Sequence, residues 1–333
     1  MLTRLLLFLL IPALACTSRR NDDSLPIHMI FDAGSSGTRV CLFAVSRTDR
    51  CRASDTEFGC KDIKAENGLA DLGPGGAEQT VRRGLDMLDE SSRKRVTGAA
   101  LLGTGGFRRI SVAGQQAVLK QSGSVLLPQG YPSVLRVITG DEEGRLAWLS
   151  VREKLGSSKH TIVEIGGATV QIATGADKQI RSVSTPDGMN DGIKKLKSDS
   201  ACFKIGRLED CRKEIQENIF RNSGLRTFAG GMTLEEKSRP LYGLGAPWNA
   251  IFKTAGRNNL SSSDLLKQAV STCGKSIADL SRDMPEAHAK RACYLHAYAL
   301  ELLSVTGQNQ ISQGYESWPR GAAVAGEYFD DCK

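Results

Sequence analysis

Two stretches of the chain share one alternation of apolar and polar positions. From Ile30 to Val40 the sequence reads IFDAGSSGTRV, and from Ile162 to Ala173 it reads IVEIGGATVQIA. Each is an apolar strand, then one acidic residue, a tight turn of small residues, and a second apolar strand. The pattern predicts the same β-hairpin twice, about one domain length apart. Glycines let a backbone bend sharply and come close to a ligand. Small hydroxyls and exposed N–H groups in such a turn form a nest for phosphate oxygens. Asp32 and Glu164 enter the two turns and would repel phosphate unless a cation stood between them. The pair therefore predicts two phosphate-gripping hairpins, one metal ion faced by both carboxylates, and a cleft between related halves.

Elsewhere the pattern is that of an α/β chain. From Pro26 to about Thr139, strands such as HMIFDAG, TRVCLFAV, GAALLGTGG and SVLRVITG alternate with helical stretches. Val81, Leu85 and Leu88 fall on one face of a helix expected from Gly76 to Arg95. A second unit begins near Glu142 and carries the repeated hairpin. Residues 186–222, rich in Lys, Arg, Asp and Glu, read as an insertion, and Leu265–Leu280 and Ala287–Leu303 as helices.

Composition narrows the setting. The 333 residues carry a formal net charge of +7, which suits an anionic substrate. Aromatics are only 6% and the basic residues are scattered, so no base-stacking stripe for nucleic acid is present. Met1 to Ala15 carries Arg4, the run LLLFLLIPAL and an Ala13-Leu14-Ala15 end, the form of a cleavable secretory signal. Cys16 follows directly, so a lipid anchor on that cysteine is the alternative to free secretion. No other segment is long and apolar enough to span a bilayer. Beyond Cys16 there are eight cysteines, an even number that implies disulfides in an exported chain. Local pairing suggests Cys51–Cys60, Cys202–Cys211 and Cys273–Cys293, leaving Cys41 for Cys332.

Two further motifs carry candidate chemistry. LLGTGGFRRI, Leu101–Ile110, is a strand ending in a Gly-rich turn that presents Thr104 and then Arg108, a group suited to phosphate charge. ITGDEEGRLAWLSV, Ile138–Val151, puts Asp141, Glu142 and Glu143 at a helix start. Acidic residues there complement the helix dipole. Glu143, followed by Gly144 and an apolar helix, is also the carboxylate suited to activating a water.

These segments resemble, in order, the five signature regions of the apyrase family, the nucleoside triphosphate diphosphohydrolases. FDAGSSGTR resembles the first, LGTGGFR the second, GDEEGRLAW the third, VEIGGATVQI the fourth and ESWPRGAAV, Glu316–Val324, the fifth. The resemblance implies an α/β fold of two actin-like (ribonuclease H-like) lobes related by pseudo-two-fold symmetry, with the active site in the cleft between them. Residues 16–141 with about 305–333 would form the first lobe and 142–304 the second.

It also implies roles. Asp32 and Glu164 would hold Ca²⁺ or Mg²⁺, although the family usually has Asp at the second position. Ser35, Ser36 and Gly37 match the first phosphate turn, and Gly166, Gly167, Ala168 and Thr169 the second. Thr104 matches a hydroxyl near the metal, Arg108 the family's arginine, Glu143 the catalytic base, and Gln171 the glutamine at the attacking water. Trp248, in LYGLGAPW, falls where a base-stacking Tyr is usual. The implied activity is secreted, cation-dependent hydrolysis of a nucleotide's terminal phosphate. The LAW ending of the third region leans towards the soluble branch that favours diphosphates. An exopolyphosphatase-like phosphatase and a catalytically weak nucleotide-binding scavenger are the alternatives.

Overall fold

The computed structural model describes residues 25–46, 51–63, 67–176, 179–282, 284–315 and 317–332. The expected signal segment, Cys16 and Glu316 lie outside the described residues. Strands β1 (Ile27–Ala33), β2 (Thr38–Ser46) and β3 (Arg52–Ile63) form an antiparallel meander. Strands β4 (Val96–Gly103) and β5 (Ser133–Val137) join in parallel, giving the order β3-β2-β1-β4-β5. The second sheet contains β6 (Lys159–Ile165), β7 (Val170–Ala176), β8 (Gln179–Thr185), β9 (Leu241–Leu244), β10 (Asn259–Ser261) and β11 (Gln310–Gln313). Its order is β10-β11-β9-β6-β7-β8. The run β8-β7-β6-β9-β11 repeats the first sheet in order and direction, with β10 added at the edge.

β1 is buried along its whole length because both faces of its sheet are covered. Met29 and Phe31 face an outer core under the helices Leu69–Asp86 and Val112–Leu126. Ile30, on the other face, enters a middle core that belongs to both halves. Ile30, Phe43 and Leu102 from the first sheet and Ile162, Ala173 and Leu244 from the second share that core. Two helices fill the space between them, Gly140–Leu155 and Pro319–Val324. They cross so closely that a methyl group on Gly321 would stand 1.9 Å from the carbonyl oxygen of Leu146. Trp148 is fixed in this layer by its Nε1–H donating to the His160 carbonyl at 3.0 Å.

Several expectations need correction. β11 belongs to the second sheet, so the chain returns to the first half between Gln313 and Pro319, later than residue 305. The helix expected to reach Arg95 ends at Asp86. Asp89 starts a new helix, Glu90–Arg95, its side chain accepting from the Ser92 N–H. Within the charge-rich segment 186–222, Leu208, Cys211, Ile215 and Phe220 are buried in the second half's core. The helix expected over Leu265–Leu280 is two, Ser262–Cys273 and Ile277–Leu280. The other begins at Ala292 and ends at Thr306.

Disulfides Cys202–Cys211 and Cys273–Cys293 form as expected, but the other two pairs are exchanged. Cys41 bonds Cys60 because the two are register partners on neighbouring strands, with Cα atoms 4.0 Å apart. Cys51, just before β3, bonds Cys332.

The Gly321 crossing generates a prediction. Gly321→Ala forces the inner helices apart and should lower unfolding free energy by roughly 2–3 kcal/mol, the usual cost of overpacking. Chemical denaturation with an unchanged midpoint would show that the layer yields freely.

Candidate active site

The two hairpins of the sequence face each other across the cleft, and their turns are closed alike. Gly34 N–H donates to Gly37 O at 3.0 Å, and Gly166 N–H donates to Thr169 O at 2.9 Å. Asp32 pairs in register with Arg39, and Glu164 with Gln171, so these four residues occupy equivalent places in the two halves. The second turn is held from behind by the start of the helix Met189–Ile193. There the amides of Gly188, Met189 and Asn190 donate to the carbonyls of Ala168, Gly166 and Gly167. The turns come close together: a methyl group on Gly167 would stand 2.8 Å from Ser35 Oγ and 3.4 Å from Ser36 Oγ.

Three carboxylates line the inner end of this cleft, all buried. Asp32 accepts from Arg39 Nε at 2.7 Å, yet burial raises its carboxyl above the usual range. Glu143 stands in the first turn of the helix Gly140–Leu155, positioned by the Thr139 side chain that accepts from the Glu142 N–H. Burial pushes its carboxyl up to about 7, opposed by the Arg108 guanidinium and reinforced by Asp32. Glu164 is pushed to about 8, first by burial and then by the charge of Glu143. One of its oxygens accepts from Ser317, while Oε2 has no hydrogen-bond partner among the described residues.

Arg108 ties the site together. It donates to Glu143 Oε2 at 2.7 Å and to Ile138 O at 2.8 Å, and lies 3.5 Å from Thr169 Oγ1 on the second turn. Gln171 Nε2 donates to Thr169 Oγ1 at 2.8 Å and to Ser184 Oγ at 3.2 Å, leaving Oε1 unpartnered among the described residues. Thr104, buried just past the end of β4, donates to the Ala33 carbonyl beside the first turn. The residues assigned from the sequence therefore converge, with one exception. Trp248 is fully buried in the second half's core, packed beneath Gly243 and beside Phe252, and cannot stack on a base.

Arg39 was not singled out from the sequence, though superposing the two hairpins exposes it opposite Gln171. Ser317, reaching Glu164 from the loop before the last helix, had no sequence signal of its own.

The donor set fits a divalent cation. Three buried carboxylates raised by burial, with Glu164 Oε2 orphaned, form a site where added positive charge is favourable. Among the described residues no three acidic, His or Cys side chains converge to hold a metal unaided. A divalent ion here would take the rest of its ligands from water and substrate phosphate.

The family described as GDA1/CD39 (nucleoside phosphatase) matches residues 19–206. Probable apyrase 3 of Arabidopsis thaliana is 30% identical over 161 residues, 43% of this chain and 33% of that protein. Ectonucleoside triphosphate diphosphohydrolase 5 of Gallus gallus is 30% identical over 161 residues, 43% of this chain and 37% of that protein. The match thus spans about a third of the length of these relatives.

Among solved structures, the Ppx/GppA enzyme of Aquifex aeolicus covers 90% of this chain and 98% of its own at 16% identity, with a TM-score of 0.62. Nucleoside triphosphate hydrolases from Neospora caninum cover 92% of this chain and 93% of their own at 12% identity, with a TM-score of 0.57. These likenesses show the two-lobed fold alone. With more than half of its residues matched by the family and the paired hairpins in place, the chain belongs to the GDA1/CD39 (nucleoside phosphatase) family.

Proposed function

We propose that this protein hydrolyses the terminal phosphate of nucleoside di- and triphosphates, with Ca²⁺ or Mg²⁺, outside the reducing cytoplasm. The observation that carries the reading is Glu143: a buried carboxylate near neutral pKa, bound by Arg108, which reaches Thr169 of a phosphate turn, whose hydroxyl also accepts from Gln171. A general base works best when its pKa lies near the working pH. Four disulfides support an oxidising compartment.

In this mechanism the terminal phosphate lies between Ser35–Gly37 and Gly166–Thr169, gripped by turn amides and hydroxyls. Asp32 and Glu164 would hold the cation, which supplies charge neutralisation at the phosphate oxygens. Arg39 shares the charge of Asp32. Glu143 takes the proton of a water that Gln171 orients through its free carbonyl oxygen. Arg108 orients Glu143 and offsets charge at the second turn. Phosphoryl transfer needs chiefly positioning and charge stabilisation, so no covalent intermediate is required. Among nucleotides we favour diphosphates as substrates.

Glu143→Gln should lower turnover by ~100-fold or more, the scale of losing a general base. Because the unprotonated carboxylate is the active form, wild-type kcat/KM should rise with pH through about 7. That acid limb should vanish in Glu143→Gln. Near-normal phosphate release by the folded variant would remove Glu143 from the mechanism.

The cation is tested by assaying ADP, UDP, GDP, their triphosphates and polyphosphate with and without EDTA. Activity should fall to background in EDTA and return with Ca²⁺ or Mg²⁺. Glu164→Gln should raise the cation concentration needed for half-activity by about tenfold. Unchanged turnover in EDTA would discard the cation, and turnover of polyphosphate alone would discard the nucleotide.

A further inference from the structure

Behind the second phosphate turn stands a buried tyrosine. Tyr298 belongs to the helix Ala292–Thr306 in the second half's core and has no exposed surface. Burial pushes its hydroxyl well above the ordinary range, with the neighbouring Tyr294 and the charge of Asp187 adding to the effect. The hydroxyl therefore keeps its proton and stays a donor. It donates to the main-chain carbonyl of Asp187, 111 positions away along the chain.

That carbonyl is one edge of a peptide unit whose other edge is the Gly188 N–H. Among the described residues no peptide bond is cis, so the two groups point in opposite directions. Gly188 N–H in turn donates to the Ala168 carbonyl at 3.1 Å. The same geometry then repeats: the Ala168 carbonyl faces residue 188, so the Thr169 N–H points the other way. It donates to no backbone carbonyl among the described residues. Tyr298, the peptide joining residues 187 and 188, and the peptide joining residues 168 and 169 thus form one series of donors and acceptors. Hydrogen bonds in series polarise one another, so each link strengthens the next donor.

The series is held tightly. A methyl group on Gly188 would stand 2.3 Å from the Thr169 nitrogen and 2.4 Å from the Ala168 carbonyl carbon, so only glycine lets the two backbones meet. The Asp187 carboxylate accepts from Ser223 Oγ at 3.1 Å and from Lys195, which anchors the start of the series to the second half. Tyr294, one turn earlier on the same helix, is also fully buried, yet its hydroxyl has no hydrogen-bond partner among the described residues. The two tyrosines differ in that one hydroxyl reaches the backbone behind the turn and the other does not.

We propose that Tyr298 is a positioning residue for the second phosphate turn, its hydroxyl aiming the Thr169 amide at the terminal phosphate through two peptide units. Its part in turnover rests on the hydrolytic reading above; the relay itself does not.

Tyr298→Phe removes one oxygen and keeps the ring, and Tyr294→Phe makes the same change one turn away. Both should fold, with the near-ultraviolet circular dichroism of the wild type. In Tyr298→Phe, kcat/KM should fall about tenfold, the upper end for one lost hydrogen bond, and by the same factor for ADP, UDP and GDP. In Tyr294→Phe it should stay within about twofold of wild type. The acid limb near pH 7 should keep its place in both variants, because Glu143 and Arg108 are untouched. In nucleotide-free protein labelled with 15N-threonine, the Thr169 amide, assigned by its loss in Thr169→Ser, should move upfield in Tyr298→Phe and stay in place in Tyr294→Phe. The ring is retained, so ring currents do not account for such a shift.

Wild-type turnover in folded Tyr298→Phe would overturn the positioning role. An equal loss in Tyr294→Phe, or a displaced acid limb in Tyr298→Phe, would overturn it too, since a disturbed core would then be the cause. An unmoved Thr169 amide would overturn the relay. A wild type that cleaves no nucleotide, with the amide moved only in Tyr298→Phe, would refute hydrolysis and leave the relay standing.

Discussion

The site depends on one close contact, the crossing of the helices Gly140–Leu155 and Pro319–Val324 at Gly321 and the Leu146 carbonyl. Only a residue without a Cβ lets the two backbones approach that far. The first helix carries Glu143 at its N-terminal end and packs against β7 and β8 of the second sheet. The last helix packs against it and against β1 and β2 of the first sheet. The crossing therefore locates the proposed base relative to both phosphate turns. Arg320, next to Gly321, reinforces it: the guanidinium is buried, donates to the Ala53 carbonyl and to Asp55, and lies over the Phe43 ring.

Around that joint, duplication sets the geometry and divergence sets the chemistry. Both hairpins close with the same Gly N–H to carbonyl bond. At equivalent register positions, however, one carries Arg39 and the other Gln171. The first half thus places a permanent cation against its carboxylate. The second leaves Glu164 without such a partner and offers a neutral amide with a free oxygen. The same backbone scaffold yields one side with a fixed cation and one with a neutral amide.

Local features were the legible ones. The hairpins, Arg108 and Glu143 could be read because strand, turn and acid lie within a dozen residues. Features set by distant packing could not. The exchange of Cys41 and Cys51 follows from the β2–β3 register, which a bulge between Cys41 and Phe43 shifts. Trp248 is drawn into the core because Gly243 leaves room for its ring, a fact visible only across strands. The charge-rich stretch after residue 186 hid a buried stripe of Leu208, Cys211 and Ile215, spaced as one helix face. Overall composition masked that periodicity.

The bond between Cys51 and Cys332 spans 281 positions of the chain and encloses the second hairpin, both inner helices and most of the first half's later strands. Within that span the polypeptide is a covalent ring. A protease that cuts one surface loop inside it opens the ring without releasing a fragment, so a nicked molecule keeps its mass under non-reducing conditions. Two cuts are needed before any piece can diffuse away. The three shorter bridges raise that number further for cuts falling inside their own loops.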